Sequence, residues 1–225
     1  MKDICEWNRS INMTDRSAAV RNIDDILYFQ GRHVIKRDTR INGGVYLGAN
    51  AREAVVVDFK KDEELDALYS RVLAGISDKD EDGILQAVYE AVSKSFPSCS
   101  SRYVEEFIDQ LGIGNDQKVL LGLFIRDRTG CCRHSALACG AVIERLIDEG
   151  CLKGKVSIDR NSFNILSYNS AHAWCRYTSP EGKVTVLDVA KGYMGGLTKK
   201  GEIVPWAYKR PEEIREKYAA KIMTA

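Results

Sequence analysis

Charge of one sign is missing from this chain: 33 basic side chains stand against 32 acidic ones over 225 residues, a formal balance of +1 at neutral pH. No global field draws such a chain to nucleic acid or to an anionic membrane, so neither is expected as a partner. No apolar run approaches the ~18 residues of a membrane helix, and the stretch Met1-Lys2-Asp3-Ile4-Cys5-Glu6 lacks an apolar signal core. Synthesis in a cytoplasm is the expectation; non-classical export, as for a delivered bacterial effector, would leave no mark that such features record. Seven cysteines, an odd number with two adjacent, do not make a disulfide framework and favour a reduced compartment. Internal repeats, low-complexity tracts and a D-x-[DN]-x-[DN]-G calcium loop are all lacking.

The patterns that are present organise the chain into two parts. The first thirty residues are polar, with a mobile arm or a short helix expected over 17–28. Short strands are expected at 32–35, 44–47 and 54–59, punctuated by Asn42-Gly43-Gly44 and Gly48-Ala49-Asn50. Residues 1–60 thus read as an N-terminal arm with accessory strands, within the same domain or as a small subdomain. Helical stripes follow at 61–73 (Leu65, Leu68, Val72) and 83–95 (Ile84, Ala87, Val88, Ala91), closed by Pro97. Further helices are expected at 102–111 and 116–127. After one more helix the chain turns to strand, until Pro211 opens a last amphipathic helix through 221. Helices first, then a helix packed on an antiparallel sheet, is an α+β arrangement, with 61–225 as its main domain.

The chemistry is concentrated in three segments. Gly130-Cys131-Cys132-Arg133-His134-Ser135-Ala136 opens a helix over 132–148, whose apolar residues recur at spacings of mostly three and four before Gly150 stops it. A thiol of pKa ~8.5 becomes a ready nucleophile when a helix N-terminus and an imidazolium stabilise its thiolate. Cys132 is placed for both, and the amides of the first turn can bind an oxyanion. His172 lies in Ala171-His172-Ala173-Trp174-Cys175-Arg176-Tyr177, which reads as a strand with 172, 174 and 176 on one face. Ser179-Pro180-Glu181-Gly182 supplies a turn, and an antiparallel strand 183–189 then sets Val184, Val186 and Asp188 on one face. Asp188 can therefore reach the ring of His172, where a carboxylate would fix the tautomer and stabilise the imidazolium.

Other readings of the same residues stay open. Cys131 competes with Cys132 for the nucleophile, the G-x-C spacing alone favouring Cys132. Cys139, Cys151 and Cys175 read as core or surface thiols. Cys131, Cys132, His134 and Cys139 form a local cluster of zinc-type ligands, yet their spacing matches no structural zinc motif, and 132 and 139 would lie two helical turns apart. No metal or organic cofactor is expected. His134 is either a packing residue at the helix start or a wall of the site. Trp174 either packs beside the imidazole or contacts substrate. A side-chain donor to an oxyanion is sought upstream among Gln117, Asn115 and Tyr103. Asp188 itself could be a structural strand end.

G-x-C-R-x-x-A opening a helix, H-A-W-x-x-Y on one strand and L-D-V-A on the next resemble the transglutaminase-like superfamily of papain-like thiol enzymes, over 128–194. The resemblance implies a papain-like core with Cys132 as nucleophile, His172 as base and Asp188 as orienting acid. It implies acyl transfer or hydrolysis at a protein carboxamide or peptide bond: a cysteine protease, glutamine deamidase or transglutaminase working through an acyl-enzyme on a protein or peptide substrate. Arg133-His134 is more similar to bacterial and effector-type members than to animal transglutaminases, in which Trp commonly follows the Cys. A catalytically silent module that uses the same fold to bind a protein is the alternative.

Overall fold

Asp24 and Asp25 both take positive φ, 49° and 64°, the backbone that a two-residue hairpin turn of matching twist requires. The segment expected as a short helix is therefore a hairpin: β1 (Val20–Ile23) pairs antiparallel with β2 (Ile26–Phe29), and β3 (Arg32–His33) follows β2. The structure is a computed structural model that describes residues 20–48, 52–77, 79–165, 168–197 and 208–213. The beginning of the expected helix, 17–19, and the last residues of the C-terminal one, 214–221, lie outside them, while 211–213 are helical.

β4 (Val45–Leu47) and β5 (Ala54–Val56) form an antiparallel pair where strands are expected. α1 (Glu63–Leu73) starts at Asp62, whose Oδ1 accepts the Leu65 amide and whose Oδ2 accepts that of Gly122 at 2.6 Å. α2 (Glu81–Ser95) is capped by Asp80 onto Gly83. β6 (Ser98–Cys99) and α3 (Ser101–Gln110) come next. The expected helix over 116–127 is split: β7 (Lys118–Leu120) pairs parallel with β5, and only α4 (Leu121–Arg126) is helical. Val119 and Leu120 belong to an apolar run that suits a buried strand as well as a helix, and the ladder offered by β5 decides for the strand.

β8 (Thr129–Gly130) pairs parallel with β6 and delivers the chain to α5 (Cys132–Asp148). α5 is followed by β9 (Lys155–Ile165), β10 (Tyr168–Thr178), β11 (Val184–Asp188), a 3-10 turn Val189–Lys191, and β12 (Tyr193–Gly195). Strands β12-β11-β10-β9 make an antiparallel sheet in that order. The protein is thus α+β, with helices and several small sheets about one main core. Leu137, Ala141 and Ile143 of α5 share that core with Ala173, Cys175 and Tyr177 of β10, and with Val55 and Val57 around β5. Alternation along β10 sends Trp174 to the other face, where it joins Val186 and Tyr208 in a separate cluster. No helix among the described residues is long and apolar enough to cross a membrane.

Candidate active site

Gly130 is where the chain must pass against Phe96: a Cβ there would run into the Phe96 ring, so the glycine of G-x-C lets β8 lie flush on α2's end and aims the next residues into α5. Cys131 is the N-cap of α5 and Cys132 its first residue. The cap is unusual in chemistry. Nδ1 of His134, three residues on, accepts the Cys131 amide at 3.1 Å, as a glutamate would in a capping box. Accepting there leaves the His134 proton on Nε2.

The two thiols have different surroundings. Cys131 is 2% exposed, whereas Cys132 is only partly buried and is the one open to an incoming group. The neighbouring Cys131 is the strongest influence lowering the Cys132 pKa; burial opposes it, and the His172 ring and the Ala173 amide add to the lowering. Cys131 is shifted the other way, by its bond to Cys132 and then by burial, so it stays a thiol. β11 ends one register step beyond the Cys175–Leu187 pair, and past that point Ala173 spends its amide on the sulfur.

His172 is 11% exposed in its side chain, and its Nε2 lies 2.6 Å from Asp188 Oδ2. With Nε2 so engaged, Nδ1 is the ring nitrogen left for Cys132. Burial is the largest influence on the imidazole and lowers its pKa, but the hydrogen bonds to Asp188 and Cys132 and their charges outweigh it and raise it to about 9. A lowered thiol beside a raised imidazole favours the thiolate–imidazolium form of the pair.

Asp188 is 1% exposed and fully employed. Oδ2 also accepts the Tyr208 hydroxyl at 2.9 Å, and Oδ1 accepts the Lys191 amide at 3.2 Å, capping the 3-10 turn. It is thus at once the end of a strand and the partner of His172. Tyr208 stacks on Tyr193 with centroids 5.2 Å apart and meets Trp174 edge-on at 5.3 Å. Trp174 is 6.0 Å from the His172 ring.

Beneath the thiols lies a buried ionic group that the sequence pattern does not disclose. Glu53 Oε1 accepts from Arg133 Nε at 2.9 Å and from its Nη2, and Arg133 Nη1 donates to Cys131 Sγ at 2.9 Å. His134 Nε2 lies 3.2 Å from the same oxygen, without hydrogen-bond alignment, and its ring lies tilted against Phe124, with centroids 4.0 Å apart. Burial pushes Glu53 up, but His134 and Arg133 together hold it down at about 2. His134 is pushed down to about 4, first by burial and then by Arg133, and is neutral. Being fully enclosed, it supports the first turn of α5 from below and cannot form the site's wall. Glu53→Gln would leave a buried guanidinium without its counter-charge; a loss of about 3–5 kcal/mol is expected, read as a lowered denaturation midpoint. An unchanged midpoint would show that the group is not structural.

The upstream candidates are not drawn to the thiol. Gln117 Oε1 accepts the Gly114 amide at 2.7 Å, Asn115 is exposed, and Tyr103 is 54% exposed. No hydrogen bond or ion pair among the described residues joins any of the three to Cys132. The Cys132 amide, as first in its helix, has no intrahelical acceptor. Among the described residues no group of three or more His, Cys, Asp or Glu is arranged to hold a metal ion; Cys139 is fully buried in the core, and Cys175 with it.

No family model, curated protein or solved structure matches this chain.

Proposed function

We propose that the protein is a cysteine-nucleophile acyltransferase or hydrolase acting on a carboxamide or peptide bond of a protein, and that its core is papain-like, of the transglutaminase-like kind. The observation that carries this reading is the placement of Cys132 at the start of a helix, near enough to His172 for each to shift the other's pKa, with the His172 ring held by Asp188 and Asp188 by Tyr208. The Cys132 thiolate attacks the carbonyl carbon, forming a C–S bond while the carbonyl electrons move to oxygen, beside the Cys132 amide. His172 gives its proton to the nitrogen, the C–N bond breaks, and an acyl-enzyme remains. Water or an amine then loses a proton to His172, attacks the thioester and releases Cys132 as thiolate.

Mass spectrometry of a protein substrate incubated with the enzyme and a primary amine distinguishes the outcomes. Gln converted to Glu means deamidation, an amine adduct means transamidation, and a cut backbone means proteolysis. Against a silent binding module stands the charge state of the thiol. Iodoacetamide should alkylate Cys132 rapidly at pH 6, where an ordinary thiol is almost wholly protonated. His172→Ala should slow that alkylation clearly, though not to an ordinary thiol's rate, because Cys131 and the Ala173 amide still lower the Cys132 pKa. Slow alkylation of the unaltered chain at pH 6, with the same rate in His172→Ala, would favour the binding module.

A further inference from the structure

A cleft of about 880 Å³ shares walls with the site. One wall belongs to the strands of the site: Asn161 of β9 is the register partner of His172, and Trp174 lies two residues along β10. Across from them is Tyr46, near enough for the charges of Cys132 and Arg133 to act on its phenol. The bottom is apolar, with Leu27, Val34 and Ile158, and the rim is basic.

The rim's cations are not equivalent. Arg37 faces Glu212 at 3.2 Å, and Arg210 is held at 2.8 Å by both Asp38 and Asp159. Asp159, the one carboxylate in the lining, is thereby neutralised. Lys36, Arg160 and Lys209 have no carboxylate partner among the described residues. Arg160 reaches only the Leu47 carbonyl, at 3.4 Å, and the Tyr46 hydroxyl. Trp174 is 3% exposed, and its indole N–H has no acceptor among the described residues, a buried donor in a wall of the cleft. Three uncompensated cations and an unused donor around an apolar trough call for an extended ligand that carries carboxylates along a partly apolar backbone.

Resting on the acyl-transfer reading above, we propose that the substrate is a protein segment whose reacting residue is flanked by Asp or Glu, with those carboxylates docked on Lys36, Arg160 and Lys209. A glutamine flanked by glutamates lays its carboxamide toward Cys132 and its acidic neighbours along the rim. Rim cations of this kind act mainly on encounter and orientation, and their effect is strongest at low salt.

Fluorescence anisotropy of the full chain, with two labelled peptides that differ only in carrying glutamates or glutamines around a central glutamine, tests this. The acidic peptide should bind about tenfold more tightly at low ionic strength, the sum of three exposed ion pairs, and lose most of that advantage in high salt. Lys36→Glu, Arg160→Glu and Lys209→Glu combined should abolish the preference, while Lys94→Glu on α2, outside the cleft, should keep it; circular dichroism verifies that both variants are folded. Equal affinity for the two peptides would overturn the proposal. So would a single-stranded oligonucleotide that binds as tightly as the acidic peptide, since the rim would then be a general polyanion surface. Alkylation of Cys132 at pH 6 is measured on the same preparation. Fast alkylation without acidic preference sinks the cleft assignment alone, whereas acidic preference with slow alkylation sinks the acyl-transfer reading and leaves the cleft as a binding site.

Discussion

On the proposed acyl-transfer reading, Cys132→Ala should lower turnover by about 10⁴-fold or more, since the acyl-enzyme would form on Cys132 and what remains would be binding and oxyanion stabilisation. Its fold should survive: Cys132 is only partly buried, and a surface-side truncation of one sulfur costs little. Cys131→Ala is expected to behave differently. Cys131 is 2% exposed, and on the proposed mechanism it takes no part in bond making, so most turnover should persist at the optimum pH. Yet Cys131 is the chief group that lowers the Cys132 pKa. Its removal should therefore move the acid limb of the rate profile, and of the iodoacetamide profile, to higher pH. Two adjacent thiols thus predict two signatures, loss of rate for one and displacement of the acid limb for the other. If Cys131→Ala lost turnover at every pH and Cys132→Ala kept it, the nucleophile would be the other sulfur. If both kept it, no thiol chemistry would be left to defend.

How much of the fold and the site is legible in the sequence depends on how local each signal is. The helix 132–148 is legible, because its apolar spacing is unbroken and Gly150 stops it, and the structure starts and ends it at the same residues. The antiparallel placement of His172 and Asp188 is too, because two alternating strands joined by a short turn admit one register that faces both inward. β7 reads as helix because Val119 and Leu120 pattern alike in either state, and the decision belongs to β5, far upstream. Glu53 is invisible: one carboxylate before Ala-Val-Val-Val looks like a solvated strand end until Arg133 arrives from α5 to neutralise it. Tyr208 gives no sign either, since its relevant neighbours, Asp188, Trp174 and Tyr193, are brought to it by tertiary folding. His134 carries a signal of two readings, and burial chooses between them.

Asp188→Asn separates a triad from a Cys–His pair with an acidic neighbour. Asp188 Oδ2 accepts two donors, the His172 ring and the Tyr208 hydroxyl, while Oδ1 caps the 3-10 turn. Asparagine has one oxygen and one amide nitrogen. If its oxygen keeps the cap, its NH₂ faces two donors, so the imidazole must either lose its anchor or turn to the opposite tautomer. Either way turnover should fall by about 10³–10⁴-fold, the scale of losing orientation and imidazolium stabilisation together. A second readout follows from the sign of the shift. The carboxylate holds the His172 pKa up at about 9, so its loss must lower that pKa and draw the alkaline limb of the turnover profile, where His172 must carry the leaving-group proton, to lower pH. Tyr208→Phe, which removes one donor and leaves the carboxylate on His172, should move that limb far less. Because Asp188 also ends a strand, turnover has to be expressed per folded molecule, from circular dichroism or thermal melting. Turnover per folded molecule close to that of the unaltered chain, with the alkaline limb in place, would take Asp188 out of the mechanism and leave Cys132 and His172 acting as a pair.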